Sequence, residues 1–353
     1  MPTAYDLDLD GLSSLLSDEP AYRTRQVFDA LYGGLRTFEE MTDLPKGLRH
    51  RLTAELPSAL SVSAKSVTDD GKTVKWAFTL ADGAVIETVL MVYRHRVTVC
   101  ISSQAGCAMA CSFCATGQGG FGRQLTTGEI VEQVVWAARE AQPRRLSNVV
   151  FMGMGEPMAN YDRVMEAVRR LNGPLGLGAR RLTVSTVGVV PGIKKLTAEP
   201  EAVNLAVSLH SANDAKRNEL VPLNKRYPLG VLADACMEYV ETTHRRLSFE
   251  WALIDGVNDT DQDVTELANY ARPLRAHVNL IPLNPTSGYL VRGSTPERVR
   301  DFAADLEERG ITTTVRATRG REIDAACGQL AATATVGMPR RRRSTEAGDD
   351  HSS

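Results

Sequence analysis

Apolar positions in the first part of the chain fall at helical spacing. Leu12, Leu15 and Leu16 share one face of a short segment, and Val27, Phe28, Leu31 and Tyr32 share the face of a second that also carries Arg23 and Arg25. The spacing predicts a small helical unit over residues 1–57, its basic face either simply solvated or a nucleic-acid contact. From residue 60 the period shortens to two. Val74, Trp76, Phe78 and Leu80 alternate between Asp70-Gly71 and Asp82-Gly83, the dipeptides that favour hairpin turns. Residues 58–92 therefore read as a β-meander that runs on through Ala84–Leu90 into Val97–Cys100. Beyond Cys107 the pattern is strand, loop and helix in alternation. Strands are predicted at 148–152, 181–186, 203–209, 247–254, 276–283 and 311–316. The intervals are long enough for crossover helices, one of them opening on a capping box at Thr126 and Glu129 ahead of Ile130, Val134, Val135 and Ala138. Such alternation predicts an α/β core over residues 93–335, with a mainly parallel sheet, open or curled into a barrel. Its functional groups are then expected at the C-terminal ends of the strands. A tail of low apolar content, residues 336–353 with Arg340–Arg343, is expected to be disordered.

Composition narrows the class. In 353 residues, 41 Lys and Arg stand against 43 Asp and Glu, for a formal net charge of −2, so bulk charge alone does not hold this chain on nucleic acid. Local basic pairs remain: Arg144-Arg145, Arg169-Arg170, Arg180-Arg181 and Lys194-Lys195. No apolar run reaches the roughly 18 residues of a membrane span, and the acidic N-terminus lacks the pattern of a secretory signal. A cytoplasmic protein without a membrane role is expected. In that compartment its six cysteines read as metal-binding or catalytic rather than as a disulfide framework.

Three of those cysteines, Cys107, Cys111 and Cys114, lie within eight residues, just after a predicted strand. Zinc is the first rival, but structural zinc usually takes four ligands from two separated pairs, and no second pair exists here. Three thiolates suit a 4Fe–4S cluster that keeps one iron open. The spacing, with Phe113 before the third cysteine, is that of the radical S-adenosylmethionine (SAM) superfamily. Cys236 sits in an amphipathic stretch and reads as core. Cys100, at a predicted strand end, is open between core and chemistry. Cys327 lies in a Gly-bearing segment beyond the last strand, near Arg316, Arg319 and Arg321, which would favour a thiolate and make it a candidate nucleophile.

Further segments make the likeness specific. Ile86-Glu87-Thr88-Val89, the run from Cys100 to Gln104 leading into the cysteine motif, and Met152-Gly153-Met154-Gly155-Glu156-Pro157 are joined by Val184–Gly188, Ser208-Leu209-His210, Leu280–Pro285 and the run from Arg319 to Leu330. Over nearly the whole chain to about residue 335 it resembles the RlmN/Cfr family of radical-SAM adenosine methyltransferases, and the RlmN branch in particular. The resemblance implies a partial (β/α)6 radical-SAM barrel with the N-terminal helices and β-hairpin extension attached. It implies one 4Fe–4S cluster on Cys107, Cys111 and Cys114, and two SAM molecules per turnover. SAM contacts would come from Gly155, Glu156, Ser185, Ser208, Leu209, His210 and Asn284.

The family's chemistry then implies three catalytic roles. Cys327 becomes an S-methylcysteine intermediate, Glu87 accepts a proton, and Cys100 resolves the product by a transient disulfide with Cys327. The implied substrate is C2 of an adenosine in 23S rRNA and in tRNA, with a small electron donor such as flavodoxin or ferredoxin and a monomeric enzyme. The basic pairs and N-terminal helices are expected to contact the RNA. The alternatives are C8 methylation of adenosine, as in the Cfr branch, a non-catalytic RNA-binding iron–sulfur protein, and a zinc module.

Overall fold

The computed structural model describes residues 2–68, 70–283, 292–316, 323 and 330; Asn284, Cys327 and the tail lie outside the described residues. Helices α1 (Leu9–Leu15), α2 (Tyr22–Tyr32) and α3 (Lys46–Glu55) come first, then strands β1 (Ser61–Val67), β2 (Thr73–Thr79), β3 (Val85–Val92) and β4 (Val97–Cys100). A two-stranded ribbon of β5 (Gln104–Gly106) and β6 (Phe121–Gln124) encloses a short helix, α4 (Ala115–Gln118). The remainder alternates: α5 (Thr127–Glu140), β7 (Asn148–Phe151), α6 (Tyr161–Asn172), β8 (Leu182–Thr186), α7 (Val190–Thr197), β9 (Asn204–Ser208), α8 (Asp214–Leu220), α9 (Leu229–Thr243), β10 (Leu247–Leu253), α10 (Asp261–Ala271), β11 (His277–Pro282), α11 (Pro296–Glu308) and β12 (Thr313–Val315).

Ten strands form one sheet in the order β1-β2-β3-β4-β7-β8-β9-β10-β11-β12. The first three connections are antiparallel; from β4 onward every neighbour is parallel. The sheet ends at β1 on one side and β12 on the other, so it is an open, partial barrel. The expected strands recur to within about two residues at each end. Strand β4 is more than the end of the meander, because it pairs antiparallel with β3 and parallel with β7 and so joins the two parts into one sheet. The capping box forms as expected, the Thr126 side chain accepting from Glu129 N and the Glu129 carboxylate from Thr126 N.

The strands alternate in a way that sets up the site. One set of side chains, among them Val149, Phe151, Leu182, Val184, Leu205, Phe249, Trp251, Val278 and Leu280, is almost wholly buried in the main apolar core. The other set faces the concave side and is largely polar: Thr98, Asn148, Thr183, Asn204, Ser248 and His277 line one cavity there. Period two therefore separates a core from a lumen along the same strands.

Candidate active site

The cysteine motif is the loop of the β5–β6 ribbon. Its neck is closed by the Cys107 N–H donating to Gly120 O at 2.7 Å. Cys107, Cys111 and Cys114 line a cavity of about 140 Å³ together with Gly155, Glu156, Ser185, Ser208 and His210. Of the expected SAM contacts that are described, Leu209 alone does not line it. Its side chain is fully buried in the main core, and only its backbone takes part, donating to Glu250 O at 3.0 Å.

No three His, Cys, Asp or Glu side chains among the described residues are gathered so as to hold a metal ion. A single zinc would need its sulfurs about 2.3 Å from one centre. Thiols spread around a cavity suit a larger cluster in which three of the four irons take one thiolate each. Burial pushes the Cys107 thiol up to about 11, and burial with the neighbouring Cys114 and Cys107 charges pushes Cys111 up as well. Neither is a thiolate on its own near neutrality; binding iron would replace the proton with a cation.

Glycine allows the loop after β7 to press on the loop after β4. A Cβ on Gly153 would stand 2.6 Å from Ile101 O, and Gly155 has φ of +101° with Gln104 Cβ 2.5 Å from where its own Cβ would be. The contact is fastened by Ser103 and Gln104 N–H groups donating to Met154 O, by Glu156 N–H donating to Gln104 Oε1 at 2.8 Å, and by Ser102 Oγ, which donates to Glu87 O and accepts from Met154 N. Glu156 is thereby held at the cavity wall. Its oxygens accept from Met158 N at 3.0 Å and Val187 N at 2.8 Å, while burial pushes its pKa up to about 7. Each oxygen keeps a lone pair for a cationic or hydroxyl donor.

His210 has φ of +58° and stacks edge-on against Phe113 at 4.6 Å between ring centroids. Its Nδ1 accepts from Ala252 N at 3.0 Å, which requires the neutral tautomer with the proton on Nε2. Burial, with the nearby Arg217 charge, lowers its pKa to about 3 and keeps it so. Ser185 Oγ donates to Phe151 O at 2.6 Å and leaves its lone pairs available.

Sequence reasoning missed Arg217 and Glu250. Arg217 on α8 is almost wholly buried, and its guanidinium donates to Leu209 O at 3.0 Å, Asn224 Oδ1 at 2.8 Å, Val187 O at 2.6 Å and Ser208 O at 3.3 Å. It fastens the ends of β8 and β9 under the cavity. Nothing in the spacing of α8 marks it. Glu250, on the cavity wall, accepts from Asn279 Nδ2 at 2.7 Å, and burial raises its pKa. Its signal was available as a polar residue at an alternate position of an otherwise apolar strand.

Cys100 and Glu87 do not line this cavity, but register puts them on the lumen side. Thr98 pairs with Met91, and both line the lumen; two residues along, Cys100 pairs with Val89 and with Val150, and Glu87 follows on the same face of β3. Glu87 is buried, with Lys75 Nζ 3.2 Å from its carboxylate. Cys236 is wholly buried in α9, as a core residue should be. Cys327 and Asn284 cannot be placed among the described residues, yet Leu330, three positions after Cys327, is buried with its carbonyl accepting from Thr116 Oγ1 at 2.6 Å, two residues beyond Cys114.

The Radical SAM superfamily model matches residues 101–271. A protein of Chloroflexus aurantiacus named "probable dual-specificity RNA methyltransferase RlmN" is 51% identical over 346 residues, covering 93% of this chain and 92% of that one. One of the same name from Frankia alni is 54% identical, covering 89% and 78%. The crystal structure of a radical SAM methyltransferase from Sphaerobacter thermophilus superposes with a TM-score of 0.92 at 51% identity, covering 94% of this chain and all of that one.

Proposed function

This chain belongs to the RlmN family of radical SAM RNA methyltransferases, enzymes of a 4Fe–4S cluster and SAM, and on that premise we propose that it methylates C2 of an adenosine in 23S rRNA and in tRNA, in the cytoplasm and as a monomer. One observation supports the reading above others: the three motif thiols and the strand-end residues Glu156, Ser185, Ser208 and His210 share one cavity, while Cys100 and Glu87 share the lumen face beside it. Cys107, Cys111 and Cys114 are the proposed cluster ligands.

The bound cluster and SAM supply one-electron cleavage to a carbon-centred radical, which suits C2 because that carbon is a poor nucleophile toward electrophilic SAM. The chain supplies position and protection from water. Glu156 and the neutral His210 hold the SAM amino and ribose groups, with Ser185, Ser208, the Leu209 backbone and Asn284 completing the contacts. Cys327 carries the methyl group as S-methylcysteine, so the first SAM of the pair is spent on the protein and the second on the radical. The methylene radical on the Cys327 sulfur bonds to C2, Glu87 takes the C2 proton, and the one unpaired electron left on the ring returns to the electron-transfer chain that supplied it, so that the ring is aromatic again. Cys100 then attacks the Cys327 sulfur. The disulfide forms, the carbon–sulfur bond breaks, and the freed carbon takes a proton to become the methyl group. A thiol reductant returns both cysteines, and a flavodoxin or ferredoxin supplies the radical's electron.

The timing separates the thiols. Cys100→Ala is expected to leave protein covalently joined to RNA through denaturation, and Cys327→Ala, alone or in the double variant, to leave none. Normal product release by Cys100→Ala would make Cys100 a core residue. Ala at any of Cys107, Cys111 or Cys114 should cost the iron and sulfide content of anaerobically reconstituted protein, read by visible absorbance. Nucleoside mass spectrometry of RNA from a deletion strain tests the position: loss of 2-methyladenosine supports the reading, and loss of 8-methyladenosine overturns it.

A further inference from the structure

Among the described residues, Leu35, Ala110, His210, His244 and Arg275 adopt the left-handed backbone without being glycine, and His210 alone of them is buried. That conformation is disfavoured for any residue with a Cβ and persists where neighbours enforce it. Here the enforcement comes from the adjacent strand. Asn258, fully buried in the turn between β10 and α10, donates through Nδ2 to His210 O at 2.7 Å and to Ala252 O at 2.8 Å, and its Oδ1 accepts from Ile254 N at 2.8 Å. Ala252 N in turn donates to His210 Nδ1 at 3.0 Å. One amide thus fixes both the peptide of His210 and the strand end that fixes its ring.

The turn that carries the amide is itself held. Val257 N and Asn258 N donate to Ile254 O, and Trp251 Nε1 donates to Asn258 O at 3.1 Å. Asp259 accepts from Gly256 N at 3.0 Å and from Ser294 Oγ at 2.6 Å. A turn closes on its own backbone bonds, so an amide sent to the end of a different strand serves something beyond closure. Its destination is the cavity that His210 lines beside the motif thiols. There the His210 ring stands edge-on to Phe113, which lies between Cys111 and Cys114 in the sequence. Ala252 and Ile254, the two strand residues the amide binds, pack in the same small apolar cluster as Cys111 and Phe113.

We propose that Asn258 is a positioning residue for SAM, acting through His210. The amide holds the left-handed peptide, the peptide and Ala252 N hold the ring, and the ring keeps its Nε2 proton for an acceptor in the cavity, such as a ribose hydroxyl oxygen. A group that binds a ligand by one hydrogen bond needs such outer support, because a small rotation of its ring loses the bond. Without the amide, His210 O and Ala252 O are left unpaired and Ile254 N loses its acceptor. The His210 peptide then relaxes out of the left-handed region and turns the ring from SAM. This role rests on the proposed reading of His210 as a SAM contact.

A double-variant cycle tests it. The dissociation constant for SAM, measured by equilibrium dialysis on anaerobically reconstituted protein, should rise about tenfold in Asn258→Ala, the effect of about one unpaired buried carbonyl. It should rise by a similar factor in His210→Ala, and the double variant should bind SAM no more weakly than His210→Ala alone. At saturating SAM, kcat for 5′-deoxyadenosine formation by Asn258→Ala should stay within about twofold of wild type. In cluster-free protein carrying nitrogen-15 histidine, the His210 ring nitrogens should show one Nε2–H tautomer in wild type and averaged shifts in Asn258→Ala. Asn258→Asp, of the same shape with one donor at most, serves for these measurements if the alanine protein does not fold. Factors that multiply in the double variant, or His210 shifts that do not change, overturn the positioning role and leave Asn258 a residue of the fold alone. Wild-type SAM affinity in His210→Ala overturns the reading beneath it, and the role with it.

Discussion

Glu156 shows how one side chain serves both fold and site. Its carboxylate ties the loop after β7 to the end of β8 through Met158 N and Val187 N, and it does so inside an apolar wall. Burial holds its pKa at about 7 in the folded chain, against 4.5 for an ordinary glutamate. Between those values the folded protein keeps a proton that the unfolded chain has released. Its contribution to stability is therefore full below about 4.5 and is lost as pH rises through about 7. Glu156→Gln removes that dependence at the cost of one backbone acceptor, on the order of 1 kcal/mol at all pH values. Melting temperatures from pH 4.5 to 8 should fall less steeply for Glu156→Gln than for wild type. Parallel profiles would mean that the carboxyl ionises equally in both states. His210 behaves oppositely: its proton is refused by burial, so it stays neutral throughout that range.

At the scale of elements, the buried Arg217 is the most consequential group the sequence did not announce. A desolvated cation without a bonded carboxylate costs several kcal/mol unless its donors are used, and here four acceptors from two strand ends and a following turn take four of its five N–H groups. Arg217→Met should destabilise by about 2–3 kcal/mol in urea titration, since it leaves buried carbonyls unpaired. It should also raise the KM for SAM, since Ser208 and the Val187 turn lose their brace. Arg217→Lys should restore the charge but only part of the effect, because an ammonium lacks the planar fork. An unchanged KM in both would confine Arg217 to folding.

The elements that were legible had strong periodicity. The six later strands stood out as short apolar runs between helical intervals, and Thr126 with Glu129 announced α5. Strand β1 falls inside the β-meander read over 58–92 but is not delimited by the sequence, because Ser61–Val67 is exposed on both faces and carries no alternation. The β5–β6 ribbon is three and four residues long, below what a pattern can reveal. In the site, the cysteine spacing and the strand-end positions were readable, since sequence order maps directly onto strand ends. The shared face of Glu87 and Cys100 was not, because it depends on the β3–β4 register.

At the scale of the whole molecule, the open question is whether residues 1–57 are an accessory unit or part of the barrel's foundation. The sequence suggests the first, since a helical period gives way to a period of two near residue 60. The packing argues for the second. Leu12, Leu31 and Leu52 lie in the same continuous core as Ile130 and Val134 of α5. Polar ties reinforce it: Gly128 N donates to Asp6 Oδ1 at 2.7 Å, Arg139 donates to Leu35 O and Glu40, and Arg170 on α6 reaches Leu7 O. Deleting 1–57 would expose the faces of α5 and α6 that these helices cover, strip Arg139 of Leu35 O and Glu40, and leave the buried Arg170 with Glu166 but without Leu7 O. Each buried leucine lost is worth about 1.5–3 kcal/mol, so the truncated chain should lose more than about 3 kcal/mol of stability. It should also show a lower urea midpoint before any RNA is added, and its SAM cleavage should decline with temperature earlier than that of the full chain. Equal midpoints, with only RNA binding diminished, would make the helices a separable RNA-binding domain and would show that the barrel closes its own core.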